Sequence, residues 1–340
     1  MNVLYIGNKN KKNSNNPTGL DTLSIQLSEF LNIKTKSEKK NKIFRMIDMI
    51  FAILANKKSA NYVLIDTYSG KGFYFALICS LLCLILNMKY ILILRGGNLE
   101  HRLKSYSFLS RMLFTNSYLN IAPSLFMKEI FKNYGFNTRY IPNNINISKY
   151  KFQSRVGFDA PKLLWLRSFH KIYNPVMAIH VLKNVLEKYE NAQLCMVGPE
   201  KDNTINDCKE LVNKLGITDK VIFTGKLEKN QWVELSKDFN IFINTTNIDN
   251  LPVSVLEVMA LGIPIVSTNA GGLKYLLNNN SDSLLVNKND IDGMSNNVIR
   301  IFENSDLSKK LSNNGLKKAL QFDWSNSKNL WKEVFFEKYN

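Results

Sequence analysis

Two carboxylates and a run of glycines mark the part of this sequence that is best suited to chemistry. Asp249 follows an apolar strand pattern, and Glu257 comes eight residues later inside an apolar helical pattern. The first amides of a helix have no partner within it, so the loop and first turn that precede Glu257 predict an anion-binding site. The residues of this turn are Asn250, Leu251, Pro252, Val253 and Ser254.

The neighbours of Glu257 predict that its carboxylate is buried. Residues 255–259 are otherwise apolar, and a buried carboxylate requires hydrogen-bond partners. The helical pattern ends at Gly262-Ile-Pro264, which stops the helix and begins the next strand. The pair Gly271-Gly272 then allows the backbone to approach a ligand closely, a recurrent use of glycine beside phosphates.

In this order and spacing, the segment from Asp249 to Gly272 resembles the donor-site signature of glycosyltransferase family 4. The members of that family are retaining enzymes of GT-B fold that use a nucleoside diphosphate sugar. Asp249 stands where the family usually has a glutamate, a change that shortens the side chain by one methylene and keeps its charge. The resemblance implies that Asp249 holds hydroxyls of the donor sugar and that Glu257 holds those of the ribose.

An arginine at the end of a strand is the leading candidate for a diphosphate ligand. Arg167 directly follows the strand pattern Leu163–Leu166, and arginine binds phosphate oxygens through two parallel hydrogen bonds. The resemblance gives Arg167 this role, so Arg167, Asp249 and Glu257 form the predicted catalytic set. The family's second cation aligns with Tyr173, and Lys171 lies two residues earlier. Other donor-binding residues that the resemblance implies are Gly19, Gly198, Pro199, Gly225, Lys226 and Leu227.

A second glycine loop lies in the first half of the chain. Arg95-Gly-Gly-Asn-Leu99 follows the strand pattern Tyr90–Leu94 and resembles a His-Gly-Gly-Asn-Leu loop found in a branch of the same family. Arg95 takes the place of the histidine. The resemblance implies acceptor contacts from Arg95, Gly96, Gly97 and Asn98, and His101 follows them closely enough to join the set.

Apolar strand patterns alternate with helical patterns along the whole chain, which predicts parallel sheets covered by helices on both faces. At 340 residues, two doubly wound domains are expected, with ligands at the carboxyl ends of the strands. The fold class is therefore α/β, of GT-B type. We expect an acceptor domain at 1–150, a donor domain at 151–321 and a final helix at 322–340 that returns to the first domain. The predicted strands are Val3–Ile6, Tyr62–Asp66, Tyr90–Leu94, Leu119–Ala122, Thr138–Ile141, Leu163–Leu166, Gln193–Val197, Val221–Phe223, Ile241–Asn244, Ile265–Ser267 and Ser283–Leu285.

The positive charge is concentrated in the first half. Residues 1–150 hold 21 Lys or Arg and 7 Asp or Glu, whereas residues 151–340 hold 24 and 21, for a total net charge of +17. This asymmetry indicates an anionic partner, unless it is only compositional drift in a Lys-rich chain. Nucleic acid is disfavoured because the basic run Lys34–Lys42 contains no aromatic residue. Six basic residues from Lys34 to Arg45 lead into the apolar stretch Ile43–Leu54, a composition typical of a membrane-interfacial helix.

Membrane spanning and metal chemistry are not expected. The apolar run Phe73–Leu86 is shorter than the about 20 residues that a spanning helix requires, so a buried helix is predicted. The sequence shows no metal-ligand cluster, so we expect neither a metal nor another cofactor besides the donor. The four cysteines form no paired framework and predict a reducing compartment.

The sequence thus predicts a cytoplasmic hexosyltransferase, peripheral on the inner face of the cytoplasmic membrane. Its acceptor would be a glycan or a lipid-linked glycan in the synthesis of lipopolysaccharide, capsule or exopolysaccharide. Two alternatives stay open: another GT-B reaction, either a sugar epimerase or an inverting transferase, and a basic nucleic-acid-binding protein.

Overall fold

The structure, a computed structural model, describes residues 1–9, 18–39, 41–105 and 107–337. Its contacts divide the chain into two compact units, one formed by Met1–Asn143 with the residues from Ser325 onward and the other by Asn144–Trp324. The division falls earlier than the expected hinge at about residue 150. The reason is that Ile145 and Tyr150 are buried in the core of the second unit.

The first unit is a doubly wound α/β domain with a parallel sheet of six strands in the order β2-β1-β3-β4-β5-β6. Its core lies between the sheet and the helices on one face, with Phe73, Phe114 and Phe131 among the fully buried side chains. The strands are β1 Asn2–Ile6, β2 Asn32–Lys36, β3 Tyr62–Thr67, β4 Tyr90–Leu94, β5 Leu119–Ala122 and β6 Thr138–Tyr140. The helices are α1 Gly19–Leu27, α2 Lys42–Ala55, α3 Gly72–Ile85, α4 Leu99–Ser105, α5 Ser107–Thr115 and α6 Leu125–Asn133.

The second unit repeats this plan with the strand order β12-β11-β10-β7-β8-β9, again all parallel. Apolar side chains of the strands fill a core on each face of the sheet. The strands are β7 Lys162–Leu166, β8 Gln193–Val197, β9 Val221–Gly225, β10 Ile241–Asn244, β11 Ile265–Thr268 and β12 Leu284–Val286. The helices are α7 Pro175–Leu186, α8 Thr204–Lys214, α9 Lys229–Leu235, α10 Val253–Ala260, α11 Leu273–Leu276, α12 Ile291–Glu303 and α13 Ser305–Gln321.

The last described helix, α14 (Trp324–Phe336), packs on the first unit. The rings of Phe335 and Tyr62 pack edge-on with their centroids 5.6 Å apart. Lys328 Nζ forms an ion pair with Glu29 Oε2 at 2.6 Å. Glu333 also forms an ion pair with Arg139. The return of the chain to the first unit therefore begins at the helix rather than at residue 322.

Two elements differ from the sequence-based expectation. Strand β2 was not predicted, because its polar sequence Asn32–Lys36 pairs only with β1 at the edge of the sheet and keeps no residue fully buried. Helix α3 is only half buried: Phe73 and Cys79 lie in the core, whereas Tyr74, Ile78 and Ile85 are exposed. The prediction of a buried helix was therefore wrong for its outer face, since the sheet covers only one side of a helix that packs on it.

No helix within the described ranges is both long enough and apolar enough to cross a membrane.

Candidate functional site

The second sheet brings most of the predicted donor-binding residues to one edge. Arg167 follows β7, Gly198 follows β8, Gly225 ends β9, and the loop with Asp249 follows β10. Because all six strands are parallel, these carboxyl ends lie on the same side of the sheet. We call this the carboxyl edge of the second sheet.

Arg167 and Asp249 form an ion pair at this edge, and both side chains are mostly buried. The Arg167 guanidinium stacks on the ring of Tyr173, 5.2 Å from its centroid. Its Nε is buried and has no hydrogen-bond partner among the described residues. The sequence assigned these two side chains to different parts of a donor; the structure joins them into one charged pair.

The glycine pair has a structural role that the sequence analysis did not anticipate. The amide of Gly272 donates to the carbonyl of Asp249 at 2.8 Å, and a Cβ on Gly272 would lie 1.6 Å from the carbonyl oxygen of Asn250. Gly271 has φ +56°, and its Cβ would lie 2.4 Å from the same Asp249 carbonyl oxygen. The pair was expected to let the backbone approach a ligand. It allows the approach of the loop that carries Asp249, and thereby fixes that acid.

Glu257 is buried on α10, as its apolar neighbours predicted, and its carboxylate has two partners. Its Oε1 accepts a hydrogen bond from the Tyr150 hydroxyl at 2.8 Å and lies 2.5 Å from Nζ of Lys229. Burial, together with the charge of Glu257, raises the pKa of Tyr150, so the hydroxyl stays a donor at physiological pH. Sequence reasoning missed both partners, because neither residue lies in a motif and both are far from Glu257 along the chain.

Two buried polar atoms between the end of β10 and the first turn of α10 have no partner in the described part of the chain. Pro252 caps the helix in extended conformation, and the Ser254 hydroxyl is buried with no partner among the described residues. The same holds for Oδ1 of Asn244 at the end of β10. A buried polar atom is ordinarily hydrogen-bonded, so these two atoms are suited to bind a polar ligand. Ser254 lies in the first turn of α10, where the free amides of the helix also favour an anion.

The predicted second cation lies near Arg167 in sequence, in a short 3-10 turn at Lys171–Tyr173. The Lys171 side chain is exposed, and its backbone amide donates to Asp202 at 3.0 Å. Tyr173, which aligns with the family's lysine, places an aromatic face on Arg167 instead of a charge.

The strand ends next to Arg167 are tied together by backbone contacts. The amide of Gly198 donates to the carbonyl of Gly225 at 2.9 Å, and a Cβ on Gly198 would lie 1.7 Å from the carbonyl oxygen of Arg167. The carbonyl of Pro199 accepts from Phe169 at 2.9 Å. Lys226 and Leu227 lead from β9 to α9, the helix that carries Lys229.

In the first unit, Arg95 belongs to a polar cluster at the end of β4. Its guanidinium donates to Asp66 Oδ1 at 3.0 Å, to the Tyr5 hydroxyl at 2.9 Å and to Asn143 Oδ1 at 3.2 Å. It also lies 3.4 Å from the carbonyl oxygen of Gly19 at the start of α1. Burial raises the pKa of Tyr5 well above its ordinary value, so this hydroxyl is neutral. Arg95 thus supports the Gly19 turn, a function that its expected acceptor contact did not include.

The rest of the predicted acceptor loop is less enclosed. Gly96 is buried and packs so closely on Ser69 that a Cβ there would lie 2.5 Å from the Ser69 amide nitrogen. Gly97 is half-buried. Asn98 and His101 are exposed, and His101 lies 3.5 Å from the Ser105 hydroxyl. Gly97 and Asn98 thus lie in a surface loop, and His101 lies in the first turn of α4.

Within the described ranges, no group of three or more His, Cys, Asp or Glu side chains is placed to hold a metal ion. Activity without a divalent cation stays a prediction.

A family comparison places this chain in a class of sugar transferases. The model of the family described as glycosyl transferases group 1 matches residues 146–318, which is more than half of the chain and contains every donor residue named above except Gly19. The chain therefore belongs to the glycosyl transferases group 1 family.

Named relatives resemble about half of the chain. Mannosylfructose-phosphate synthase of Agrobacterium fabrum is 28% identical over 196 residues, which are 56% of this chain and 43% of that protein. The UDP-Gal:alpha-D-GlcNAc-diphosphoundecaprenol alpha-1,3-galactosyltransferase of Escherichia coli is 24% identical over 178 residues, 49% of this chain and 46% of that protein. The chain thus spans less than half the length of these relatives.

Solved structures resemble the whole fold. Sucrose-phosphate synthase from Thermosynechococcus elongatus superimposes with a TM-score of 0.81 at 13% identity, covering 99% of this chain and 100% of that one. Anabaena HepE, solved with UDP and glucose, gives a TM-score of 0.76 at 14% identity and covers 99% of both chains. These likenesses confirm the predicted fold class, two Rossmann-like domains of GT-B type.

Proposed function

We propose that this chain is a retaining glycosyltransferase of family 4 that moves a sugar from a nucleoside diphosphate sugar to a hydroxyl group of an acceptor. The observation that carries the proposal is the charged array at the carboxyl edge of the second sheet, where Arg167 pairs with Asp249 and Glu257 is held by Tyr150 and Lys229. Family membership supports the reaction class. A structure with the same fold, Anabaena HepE, was solved with UDP and glucose, which supports a nucleotide-sugar donor.

In the proposed reaction, the bond from the anomeric carbon to the diphosphate oxygen breaks and the bond to the acceptor oxygen forms on the same face of the sugar. The acceptor proton passes to the leaving phosphate, so no separate protein base is required. The protein's task is to stabilise the charge that develops on the diphosphate. Arg167 and the N-terminus of α10 would do this, with help from Lys171. Asp249 would then bind sugar hydroxyls, and Glu257 the ribose.

The acceptor proposed is a lipid-linked glycan on the cytoplasmic face of the cytoplasmic membrane, in the synthesis of a surface polysaccharide. The net charge of +14 over residues 1–150 supports an anionic membrane as the partner of the first unit. The name of the Escherichia coli relative, which transfers galactose to a diphosphoundecaprenol acceptor, supports the lipid-linked class. The loop from Arg95 to Asn98, with His101, is the proposed acceptor contact.

A panel of UDP-, GDP- and ADP-sugars tests the donor class. Purified protein is assayed by thermal unfolding with each nucleotide sugar; a ligand at about 100 times its dissociation constant stabilises by about 2.7 kcal/mol. Stabilising donors are then incubated with detergent-dispersed polyprenyl diphosphate sugars, and the anomeric configuration of the product is determined by NMR. Retention supports the proposal, whereas inversion or donor epimerisation would assign another GT-B reaction.

The same assay in a chelator tests the proposed independence from metal. We expect transfer to continue in excess EDTA, because cationic side chains and helix amides replace the divalent ion. Loss of transfer in EDTA with recovery in Mn²⁺ would contradict this part of the mechanism.

A further inference from the structure

Helix α2 presents a stripe of large apolar side chains to solvent. Its buried residues Met49, Ala52 and Ile53 face the core, and the side chains on the opposite face are exposed. At 3.6 residues per turn, the exposed ones fall within about 100° of the helix circumference, the width of an apolar face that normally packs on something. They are Ile43 (70% exposed), Phe44 (62%), Ile47 (42%), Phe51 (64%) and Leu54 (45%).

The apolar surface continues onto the neighbouring helix. Helices α2 and α3 connect β2 to β3 and β3 to β4, steps in the same direction across the sheet, so right-handed connections place both on one face. They pack against each other there. Helix α3 exposes Tyr74, Ile78 and Ile85, the last at 80%. We call these eight exposed side chains of the two helices the α2–α3 surface.

Basic residues border this surface, and acids beside it are neutralised. Residues 32–58 hold eight Lys or Arg and only two carboxylates, Glu38 and Asp48. Glu38 pairs with Lys9 at 2.8 Å, and Asp48 pairs with Lys36 at 3.3 Å. Residues 72–85 contain no charged side chain and lie between Lys71 and Lys89.

We propose that the α2–α3 surface inserts into the interfacial region of an anionic lipid bilayer, with its apolar side chains among the acyl chains and the lysines at the headgroups. The inference rests on the proposed function for its biological setting, and it goes further by naming the inserting residues. Protein interfaces are depleted in lysine, whereas interfacial helices combine Phe and Leu or Ile on one face with Lys and Arg beside them. The α2–α3 surface has the composition of a membrane-interfacial helix rather than that of a protein interface.

This assignment differs in a measurable way from docking by charge alone. Attraction of lysines to anionic headgroups falls steeply with salt. Buried apolar area is not screened by salt, and stable attachment commonly requires both contributions. Membrane binding should therefore have a salt-sensitive part that comes from lysines and a salt-resistant part that comes from Phe44 and Phe51.

Cosedimentation of the full chain with vesicles separates the two parts. The probes are vesicles of phosphatidylcholine with phosphatidylglycerol and vesicles of phosphatidylcholine alone, each at low and high salt. We expect Phe44→Ser with Phe51→Ser to weaken partitioning onto anionic vesicles by at least about tenfold and to remove the salt-resistant part. The matched control is Ile222→Ser with Leu320→Ser, which changes apolar side chains of the second unit that are 44% and 47% exposed. It should bind like the wild type.

A charge variant completes the experiment. Changing Lys34, Lys36, Lys39 and Lys42 to Gln should remove the salt-sensitive part and leave residual binding at high salt; Lys40, in the same basic run, lies outside the described residues. Wild-type-like binding of the double serine variant would overturn the proposal. So would a wild type that ignores vesicles but self-associates through Phe44 and Phe51 in analytical ultracentrifugation, since the occupant would then be a second copy.

Vesicle binding needs neither donor nor acceptor, so its failure is distinguishable from failure of the proposed reaction. Thermal stabilisation by the nucleotide sugar that the donor panel selects reports the donor site of the second unit separately and also verifies that each variant is folded. Loss of vesicle binding with unchanged stabilisation by that nucleotide sugar assigns the effect to the α2–α3 surface.

Discussion

At the scale of single residues, the candidate site consists of charges that hold one another in position. Arg167 stacks on Tyr173 and pairs with Asp249, and these two contacts fix the position of its guanidinium. Arginine rather than lysine suits this place, because its guanidinium can pair, stack and still present further N–H groups to a phosphate. The ion pair with Asp249 leaves the buried Nε of Arg167 without a hydrogen-bond partner in the described part of the chain.

Arg167→Ala should lower transfer by about 10²–10³, the cost of removing one donor of a charge-stabilising site. The fold should survive, since no core volume is lost. The measurement is kcat with saturating donor, compared with Arg300→Ala, an arginine of α12 that donates only to Asn280 in the structure's described contacts. Wild-type turnover in folded Arg167→Ala would show that the diphosphate is bound elsewhere.

Tyr150 and Lys229 are positioning residues for Glu257. Tyr150→Phe or Lys229→Met should raise KM for the donor by up to about tenfold and leave kcat nearly unchanged. The reason is that the ribose contact proposed for Glu257 would be equal in the ground state and the transition state, so weakening it would reduce uniform binding. Steady-state kinetics with varied donor give both constants, and a fall in kcat at constant KM would contradict the assignment.

At the scale of elements, the site depends on loops that approach each other too closely for side chains. The turn at Gly271-Gly272 lies against the loop of Asp249 and Asn250, and Gly198 lies against Arg167. These contacts explain why glycine is required after two of the strands, independently of any ligand.

Gly272→Ala should destabilise the protein by about 1–3 kcal/mol, because its Cβ would overlap the Asn250 carbonyl. It should also displace Asp249 and weaken donor binding. Chemical denaturation measures the loss, with Gly70→Ala as control, since a Cβ on Gly70 meets nothing within 4 Å. Equal stability of the two variants would mean that the loop adapts freely.

The elements also explain which features the sequence could predict. Buried strands such as β4 and β10 are continuous apolar runs and were predicted within a residue or two. The edge strand β2 was missed because it is polar apart from Ile33 and none of its residues is fully buried, so no apolar run marks it. The partners of Glu257 were missed for another reason: Tyr150 is 107 residues away, and only tertiary packing brings them together.

At the scale of the molecule, the four cysteines are part of the cores. All four are free and buried, and burial raises the pKa of each thiol to about 12. A thiol with a raised pKa stays protonated below that value, and only the thiolate is a good nucleophile.

We therefore expect no labelling of the native protein by iodoacetamide at pH 8, and four labels once it is unfolded. Mass spectrometry of the intact protein counts them. Rapid native labelling of Cys79 or Cys83 would reveal that the packing of α3 opens readily, which bears on the surface proposed to meet the membrane.

The return of α14 to the first unit has a consequence for how the protein is made. The second unit is one continuous segment, whereas the first is assembled from both sides of it. During synthesis, all residues of the second unit therefore leave the ribosome before α14, the helix of the first unit that contacts Phe30 and Tyr62. The second unit can therefore complete its fold before the first unit does, although the first unit is synthesised earlier. Until α14 is synthesised, the apolar side chains that it contacts on the first unit stay uncovered.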